Sequence, residues 1–390
     1  MMGEAANVPR LLERLRSQTE QRFTLYCCVN RPDDDPTFLS DNERTLDLLS
    51  RAEGLDCRVI DRTTPGRGWQ GKQRGVGWAR KLLFDAIDAD AADGNERVIS
   101  LDADTDFDAD YLSLVGRALD RSPRAAALAV PYFHPLTGQP TDRALLRYEL
   151  YMRYYRLSLH LAASPYAFTA IGSALAFPLR SYRRVGGITP LPGGEDFYLM
   201  QKMAKVGSVL TQFAGFVRPQ GRVSTRVPFG TGPAVALPLA SQAERYPFYA
   251  PEAFEAVGRT LALFPALFEA DRETPMSDFL RRQLRTDDLW QPLRSNFKSA
   301  PLFVRACHQR VDGLRTLQFL RHWRDTHPPL SDEAALSALW ARLSGLGLVP
   351  SHALPVGFSL TDTPLEVLDD VRRHLFAAER ALPPCPSMHP

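Results

Sequence analysis

The chain has 390 residues, 44% of them hydrophobic and 24% charged, a balance that fits a folded protein with a large core and excludes a disordered one. A formal net charge of +2 argues against the concentrated basic face of a nucleic-acid binder. Cys27, Cys28, Cys57, Cys307 and Cys385 are scattered, forming neither a disulfide framework nor zinc-ligand spacing.

Strand and helix patterns alternate through the first part of the chain, as in an α/β protein with a mostly parallel sheet. Residues 23–29, FTLYCCV, read as a buried strand. Ser40 and Glu43 have capping-box spacing for a helix carrying Leu46 and Leu49, with Gly54 beyond it. CRVI (57–60) is a second strand, and residues 75–88 carry a helical apolar stripe of Val76, Leu82, Leu83, Ala86 and Ile87. RVISL (97–101) is a third strand, after which Asp108 is placed to cap a helix with Leu112, Val115 and Leu119. AALAV (126–130) is a fourth. Thr141 opens a long helix to about Leu161, rich in Tyr and Leu, and GSALAFP (172–178) is a further strand. From about Ala243 the signals are helical. Ser331 precedes Leu336, Leu339, Trp340 and Leu343, while Thr363 and Pro364 open another helix. The expected division is an α/β domain over 1–242 and a helical region over 243–390. No signal peptide is read in MMGEAANVPRLLERLRS, and no apolar run is long enough to span a bilayer. The expected location is the cytoplasm, with a peripheral place at the inner membrane face left open.

The chemistry concentrates where the third strand ends, in ISLDADTDFDADYL (99–112), with acids at 102, 104, 106, 108 and 110. An EF-hand is excluded: a loop opening at Asp102 would need Gly at its sixth position and Glu at its twelfth, where Phe107 and Ser113 stand. Ligands of open α/β sheets bind beyond the carboxyl ends of strands, where Asn30, Arg31, Asp61, Asp102 and Asp104 all fall. Carboxylates with few protein co-ligands suit Mg²⁺ or Mn²⁺ shared with a nucleoside diphosphate. Asp106, Asp108 and Asp110 are read as an ordinary acidic turn and helix start.

LDAD after an apolar strand resembles the D-x-D motif of GT-A glycosyltransferases, specifically the family 2 type. GSALAFPLRSYRRVGGITPLPGGEDFYLMQKMAKVG (172–207) resembles that family's acceptor loop and Glu-Asp helix, and RVSTRVPFGTG (222–232) a basic loop of one bacterial branch. The resemblance covers about residues 22–235. It implies a GT-A, Rossmann-like sheet flanked by helices with a helical C-terminal extension, and a nucleotide-diphosphate sugar as donor. It also implies that Asp102 contacts ribose, Asp104 ligates the metal, Asp61 holds base or ribose, and Asp196 is the catalytic base with Glu195 positioning it. Gly172 and Ser173 fall in the acceptor loop. The Q-x-x-R-W of processive members is absent, so a non-processive enzyme is expected, its acceptor a glycan, a lipid-linked or a small molecule.

A departing diphosphate needs cations beyond one metal. Arg74 and Arg80 lie in and after a glycine-rich turn at a helix start, and Arg222 and Arg226 in a glycine-flanked loop; all four are read as diphosphate contacts, while Lys72, Lys81 and Arg218 are as readily surface charge. No histidine follows the Glu-Asp helix until His308, so a third, histidine metal ligand is not expected. His134 and the tyrosines at 148, 151, 154 and 155 read as structural. Two alternatives stand beside the transferase. A nucleotidyltransferase would show a glycine-rich loop after the first strand, where this chain has NRPDDDP, and a noncatalytic nucleotide-sugar-binding protein would not need the Glu-Asp pair.

Overall fold

The computed structural model describes residues 1–224 and 226–389; Thr225, within the expected basic loop, lies outside them. The chain forms two compact units, Met1–Thr141 with Ala170–Ala236 and Asp142–Thr169 with Leu237–Pro390. The division therefore differs from the expected one at two places. It falls at 236/237, and the long helix after Thr141 belongs with the C-terminal helices.

In the first unit the order is α1 (Val8–Arg16), β1 (Thr24–Asn30), α2 (Leu39–Ser50), β2 (Asp56–Arg62), α3 (Val76–Asp90), β3 (Arg97–Ser100), β4 (Thr105–Phe107), α4 (Tyr111–Arg121) and β5 (Ala125–Ala129). The chain then runs through α5 (Asp142–Leu161) of the second unit. It returns as β6 (Leu175–Pro178), α6 (Leu179–Arg184), α7 (Glu195–Ala204), β7 (Ser208–Leu210), β8 (Val217–Pro219) and α8 (Thr231–Ala236). Helix α1 was not expected, although Val8, Leu11, Leu12 and Leu15 repeat at helical spacing and are buried.

The sheet departs from the expected mostly parallel one. β1 and β2 pair in parallel, from Thr24 opposite Asp56 to Asn30 opposite Arg62, as a separate two-stranded sheet. A four-stranded sheet has the order β3-β6-β5-β7, with β6 antiparallel to both neighbours and β5–β7 parallel. One helix, α5, lies between β5 and β6, yet the two strands pair antiparallel, so this segment does not form the crossover of a parallel β-α-β unit.

The aspartate stretch is not a plain turn. Thr105 and Phe107 are buried, and Asp106 points outward from β4, which pairs with β8 so that Asp106 faces Arg218. Asp106 takes Arg10 (2.8 Å) and Arg14 (2.7 Å) from α1, and Asp108 takes Arg218 (2.7 Å). Asp108 therefore does not cap α4; Asp110 holds that position without a side-chain cap bond. Ser40 likewise lies inside α2, whose N-cap is Phe38, because the Asp35 carboxylate already turns the chain by accepting from the Thr37 N–H (3.0 Å).

The second unit adds α9 (Leu239–Arg245), α10 (Pro251–Ala262), a 3₁₀ turn (Ala266–Phe268), α11 (Ser277–Leu284), α12 (Gln291–Asn296), α13 (Ala300–Arg310), α14 (Gly313–Thr326), α15 (Asp332–Gly345) and α16 (Leu365–Ala381). Ser331 caps α15 by accepting from the Ala334 N–H at 3.1 Å. The α5 tyrosines pack among Tyr246, Phe248, Tyr249 and Phe254, with ring centroids 4.9–6.4 Å apart. α5 and α16 are joined by fully buried charges. Arg153 donates to Glu379 (2.6 Å) and also pairs with Glu149, which accepts from Arg372 (3.1 Å); Asp369 accepts from Arg372 at 3.0 Å.

Removing one partner of such a network strands the others without solvent or counter-charge, which costs about 3–5 kcal/mol. Glu149→Gln is expected to lower the stability of the second unit by about that amount in urea denaturation. A loss below about 1 kcal/mol would mean that water reaches Arg153 and Arg372.

Candidate active site

A cavity of about 1260 Å³ lies in the first unit, lined at one end by Glu4, Asp102, Asp104, Glu195, Asp196 and Arg222. It extends inward between β1 and β3, strands that do not pair, past Leu25, Cys27 and Val98.

Its floor is built around Arg80. The first turns of α3 bury this residue, and its guanidinium donates to Asp102 (2.7 Å) and to the Glu195 carboxylate. Burial alone would disfavour the charge, but Asp102, Glu195 and Asp196 hold Arg80 firmly cationic. Three glycines make this possible. A Cβ on Gly172 would collide with the Arg80 guanidinium, and one on Gly77 with the backbone of Leu191. At Gly193 a Cβ would press on Pro228 and Phe229 at 3.1 Å. Helix α3 thus meets the backbone of the loop before α7 at Gly77, the 170–174 turn lies directly on the Arg80 guanidinium at Gly172, and the Pro228 and Phe229 side chains close on Gly193.

Gly194 adopts a left-handed conformation (φ 76°) as the N-cap of α7, and the next two residues are the acids. Glu195 is buried against Arg80. Asp196 is partly exposed in the cleft, and its Oδ1 accepts from the Phe197 N–H at 2.7 Å. Burial first, and the Glu195 carboxylate next, push Asp196 up to about 6, against the pull of Arg80. Asp104 is also pushed up to about 6, by burial and then by Asp102, although the Arg222 Nε lies 3.0 Å from its Oδ2.

Several residues read from sequence as ligand contacts have other duties. Arg31 is buried and donates to the carbonyls of Thr63 (2.8 Å), Pro32 (2.8 Å) and Asp33 (3.0 Å), buckling the loop after β1. Asp61 turns the chain after β2 by accepting from the Thr63 (2.8 Å) and Thr64 (3.0 Å) N–H groups. Neither lines the cavity, and nor does exposed Arg74. Asn30 does line it, with its amide oxygen accepting from Trp69 Nε1 (3.0 Å) and its amide nitrogen donating to the Met1 carbonyl (3.1 Å). Arg80 and Gly172 are in the cavity wall, but as the acid-bridging cation and the space it needs. Ser173 lines the wall and is buried. His134 is fully buried with its Nε2 3.2 Å from Thr231 Oγ1.

Arg222 and Arg226 reach the cavity and meet an acid that the sequence reading did not single out. Both pair with Glu4, Arg226 at 2.7 Å, and Arg226 also donates to the Met2 carbonyl. A lone glutamate just before α1, 218 residues from Arg222, carries no sequence signal for this contact.

No protein-family model matches the chain, and no curated protein does. Among solved structures it is similar to the mannosyltransferase PcManGT from Pyrobaculum calidifontis in complex with GDP-Man and Mn²⁺. The two share 15% identity at a TM-score of 0.40, over 97% of this chain and 83% of that one. The likeness is loose.

The raised Asp196 has a consequence for stability. An aspartate in the unfolded chain ionises near pH 4 (about 3.9), whereas folded Asp196 stays protonated to about 6, so folding takes up a proton between those values and stability falls as pH rises through them. Asp196→Asn removes that penalty. Its melting temperature at pH 7.5 is expected to exceed wild type by about 2–4 °C, with the difference vanishing at pH 4. An equal offset at both pH values would show that the carboxylate is not destabilised in the fold.

Proposed function

We propose that the chain is a glycosyltransferase of the GT-A, family 2, non-processive kind, moving a sugar from a nucleoside-diphosphate sugar to an acceptor hydroxyl with inversion at the anomeric carbon. One observation carries the reading. The strand-end acids Asp102 and Asp104 share a cleft with the acid pair opening α7, joined to it through Arg80, and Asp196 is pushed up to about 6.

Chemistry at an anomeric carbon needs a group that takes the acceptor proton and positive charge that receives the leaving group. Asp196 suits the first task, since a base with a pKa near 6 is ionised at neutral pH and still binds a proton better than an ordinary aspartate. As the acceptor oxygen bonds to the anomeric carbon, its proton passes to Asp196 and the bond from that carbon to the phosphate oxygen breaks. Attack from the side opposite the departing diphosphate inverts the centre. Glu195 holds Arg80, which fixes Asp102 in turn, so the acid at the base side and the acid at the donor side are positioned by one cation.

The cleft's charge explains why the donor would come with a cation. Around Asp104 the cationic Arg80, Arg222 and Arg226 face five acids, Glu4, Asp102, Asp104, Glu195 and Asp196. An incoming diphosphate adds more negative charge to a site already short of positive. Among the described residues no three His, Cys, Asp or Glu side chains gather into a metal cage. The donor set fits Mg²⁺ or Mn²⁺, which accept one or two carboxylates and complete their shell with phosphate oxygens and water. Asp104, which burial and then neighbouring Asp102 push up to about 6 despite Arg222, would hold it, with Asp102 alongside. When bound, such an ion supplies the charge that stabilises the released diphosphate.

Incubation with a panel of nucleotide sugars and Mn²⁺ or Mg²⁺, read as free nucleoside diphosphate, tests the reading; no release with any donor and any hydroxyl acceptor would refute it. Asp196→Asn is expected to cut turnover about 10²–10⁴-fold with donor affinity nearly constant. In wild type, kcat/KM should rise about tenfold per pH unit below about 6 and level off above it. A product of retained configuration would overturn the base assignment. Asp104→Asn should abolish the Mn²⁺ dependence of nucleoside-diphosphate binding measured by calorimetry; unchanged dependence would remove Asp104 from the metal site.

A further inference from the structure

We propose that Glu4 is a positioning residue of the donor site, holding Arg222 and Arg226 in place of the donor's phosphate and giving them up when the diphosphate binds. The proposal rests on the donor reading above and deepens it.

The geometry is that of an anion cradle already filled. A single carboxylate oxygen, Oε1 of Glu4, receives both guanidiniums, from Arg222 Nη2 and from Arg226 Nη1 at 2.7 Å. Two arginines on one oxygen is the arrangement that a non-bridging phosphate oxygen also takes. The other oxygen, Oε2, accepts from Asn7 Nδ2 at 2.7 Å, and the Glu4 carbonyl accepts from the Asn7 (2.9 Å) and Val8 (3.2 Å) N–H groups. The carboxylate is thus presented to the cavity by the turn that leads into α1, while α1 is itself held by Arg10 and Arg14 on Asp106 of β4. Arg222 reaches Asp104 with its remaining Nε, so the carboxylate, the two arginines and the strand-end acid form one chain of charge.

The two arginines come from a segment able to move. Arg222 and Arg226 lie between β8 and α8, outside regular structure, with Gly230 at φ 101°. Glu4 is buried in the turn that leads into α1. In an exchange, the loop moves and the acid stays. A diphosphate offers several anionic oxygens where Glu4 offers one, so it wins the arginines at the cost of separating them from Glu4. Without Glu4, two adjacent guanidiniums facing the cleft would repel each other and sample many positions; with it, they wait side by side. The residue therefore sets donor affinity and holds the loop closed between turnovers.

The experiment measures inorganic pyrophosphate binding by calorimetry, with Mn²⁺ present, to the wild-type chain and to Glu4→Gln, Glu4→Asp and Asp108→Asn. Glu4→Gln keeps the shape but removes the competing charge, and is expected to tighten pyrophosphate about tenfold. Glu4→Asp keeps the charge and should stay within about twofold of wild type. Asp108→Asn removes one negative charge from an exposed carboxylate paired with Arg218 rather than with α1 or the loop, and should leave affinity unchanged. Equal tightening in Asp108→Asn and Glu4→Gln would reduce the effect to net charge and overturn the proposal. So would unchanged or weaker binding in Glu4→Gln when its melting temperature matches wild type. If Glu4→Gln unfolds, Glu4→Asp decides with a second measurement, trypsin cleavage after Arg222 and Arg226 in the presence and absence of pyrophosphate. Cleavage in Glu4→Asp that pyrophosphate suppresses supports exchange, and cleavage indifferent to it overturns exchange. Once a sugar donor is in hand, Glu4→Gln should lower its KM about tenfold with kcat within twofold. Pyrophosphate binding that responds to Glu4 in a chain that transfers no sugar would refute the transferase reading alone; sugar transfer with no response to Glu4 would refute this proposal alone.

Discussion

The first unit is organised around a buried cation. Arg80 cannot reach bulk water, and leaving its charge unpaired would cost several kcal/mol, so the chain must bring acids to it. It brings Asp102 from the end of β3 and Glu195 from the first turn of α7, two elements 93 residues apart in a pairing that helix α3 mediates. Once those carboxylates are fixed, Asp104 and Asp196 follow, because each is tied by a short stretch of backbone to a member of the bridge. Burial, and then the neighbouring carboxylate, raises the affinity of both acids for protons.

Close backbone approach is the other half of that construction. Gly77 lets α3 meet the backbone of Leu191 and Gly172 leaves room for the Arg80 guanidinium, while Gly193 receives the Pro228 and Phe229 side chains. Their spacing explains why the acid pair can stand at the mouth of a cleft and still contact a residue buried beneath it. Described side chains of residues 222–232 reach that floor at Asp104, through Arg222, and at Gly193, through Pro228 and Phe229.

Much of this was legible from sequence, and what was missed has physical causes. Strands β1 and β3 and helices α3 and α7 follow from apolar runs, stripe and glycine punctuation, all local signals. The position of Asp102 and Asp104 beyond β3 follows from the same local pattern. The antiparallel entry of β6 does not, because it depends on where the chain goes between Thr141 and Ala170. Arginine partners are a second blind spot. Arg80 was expected on a phosphate and lies between two carboxylates, while Arg31 was expected at the ligand and closes a loop on four carbonyls, those of Thr63, Pro32, Asp33 and Asp35. A guanidinium satisfies itself with whichever acceptors the tertiary fold supplies, so its type and spacing do not name its partner. Glu4 is the extreme case, since nothing near it in sequence distinguishes it from any surface acid. Asp106 and Asp108 show the converse, for their alternation with Thr105 and Phe107 is the period of a strand and could have been read as β4.

The buried charges shared by α5 and α16 also impose an order in time. Glu149 and its partner Arg372 are 223 residues apart. A ribosome adding about 5–20 residues per second leaves α5 waiting roughly 10–45 s for the helix that neutralises it. During that interval the α5 segment carries Glu149 and Arg153 with only each other for company, and its apolar side chains have no C-terminal helices to cover them. A chain stopped before α16 would carry Glu149 and Arg153 without Arg372 and Glu379, the partners that α16 supplies.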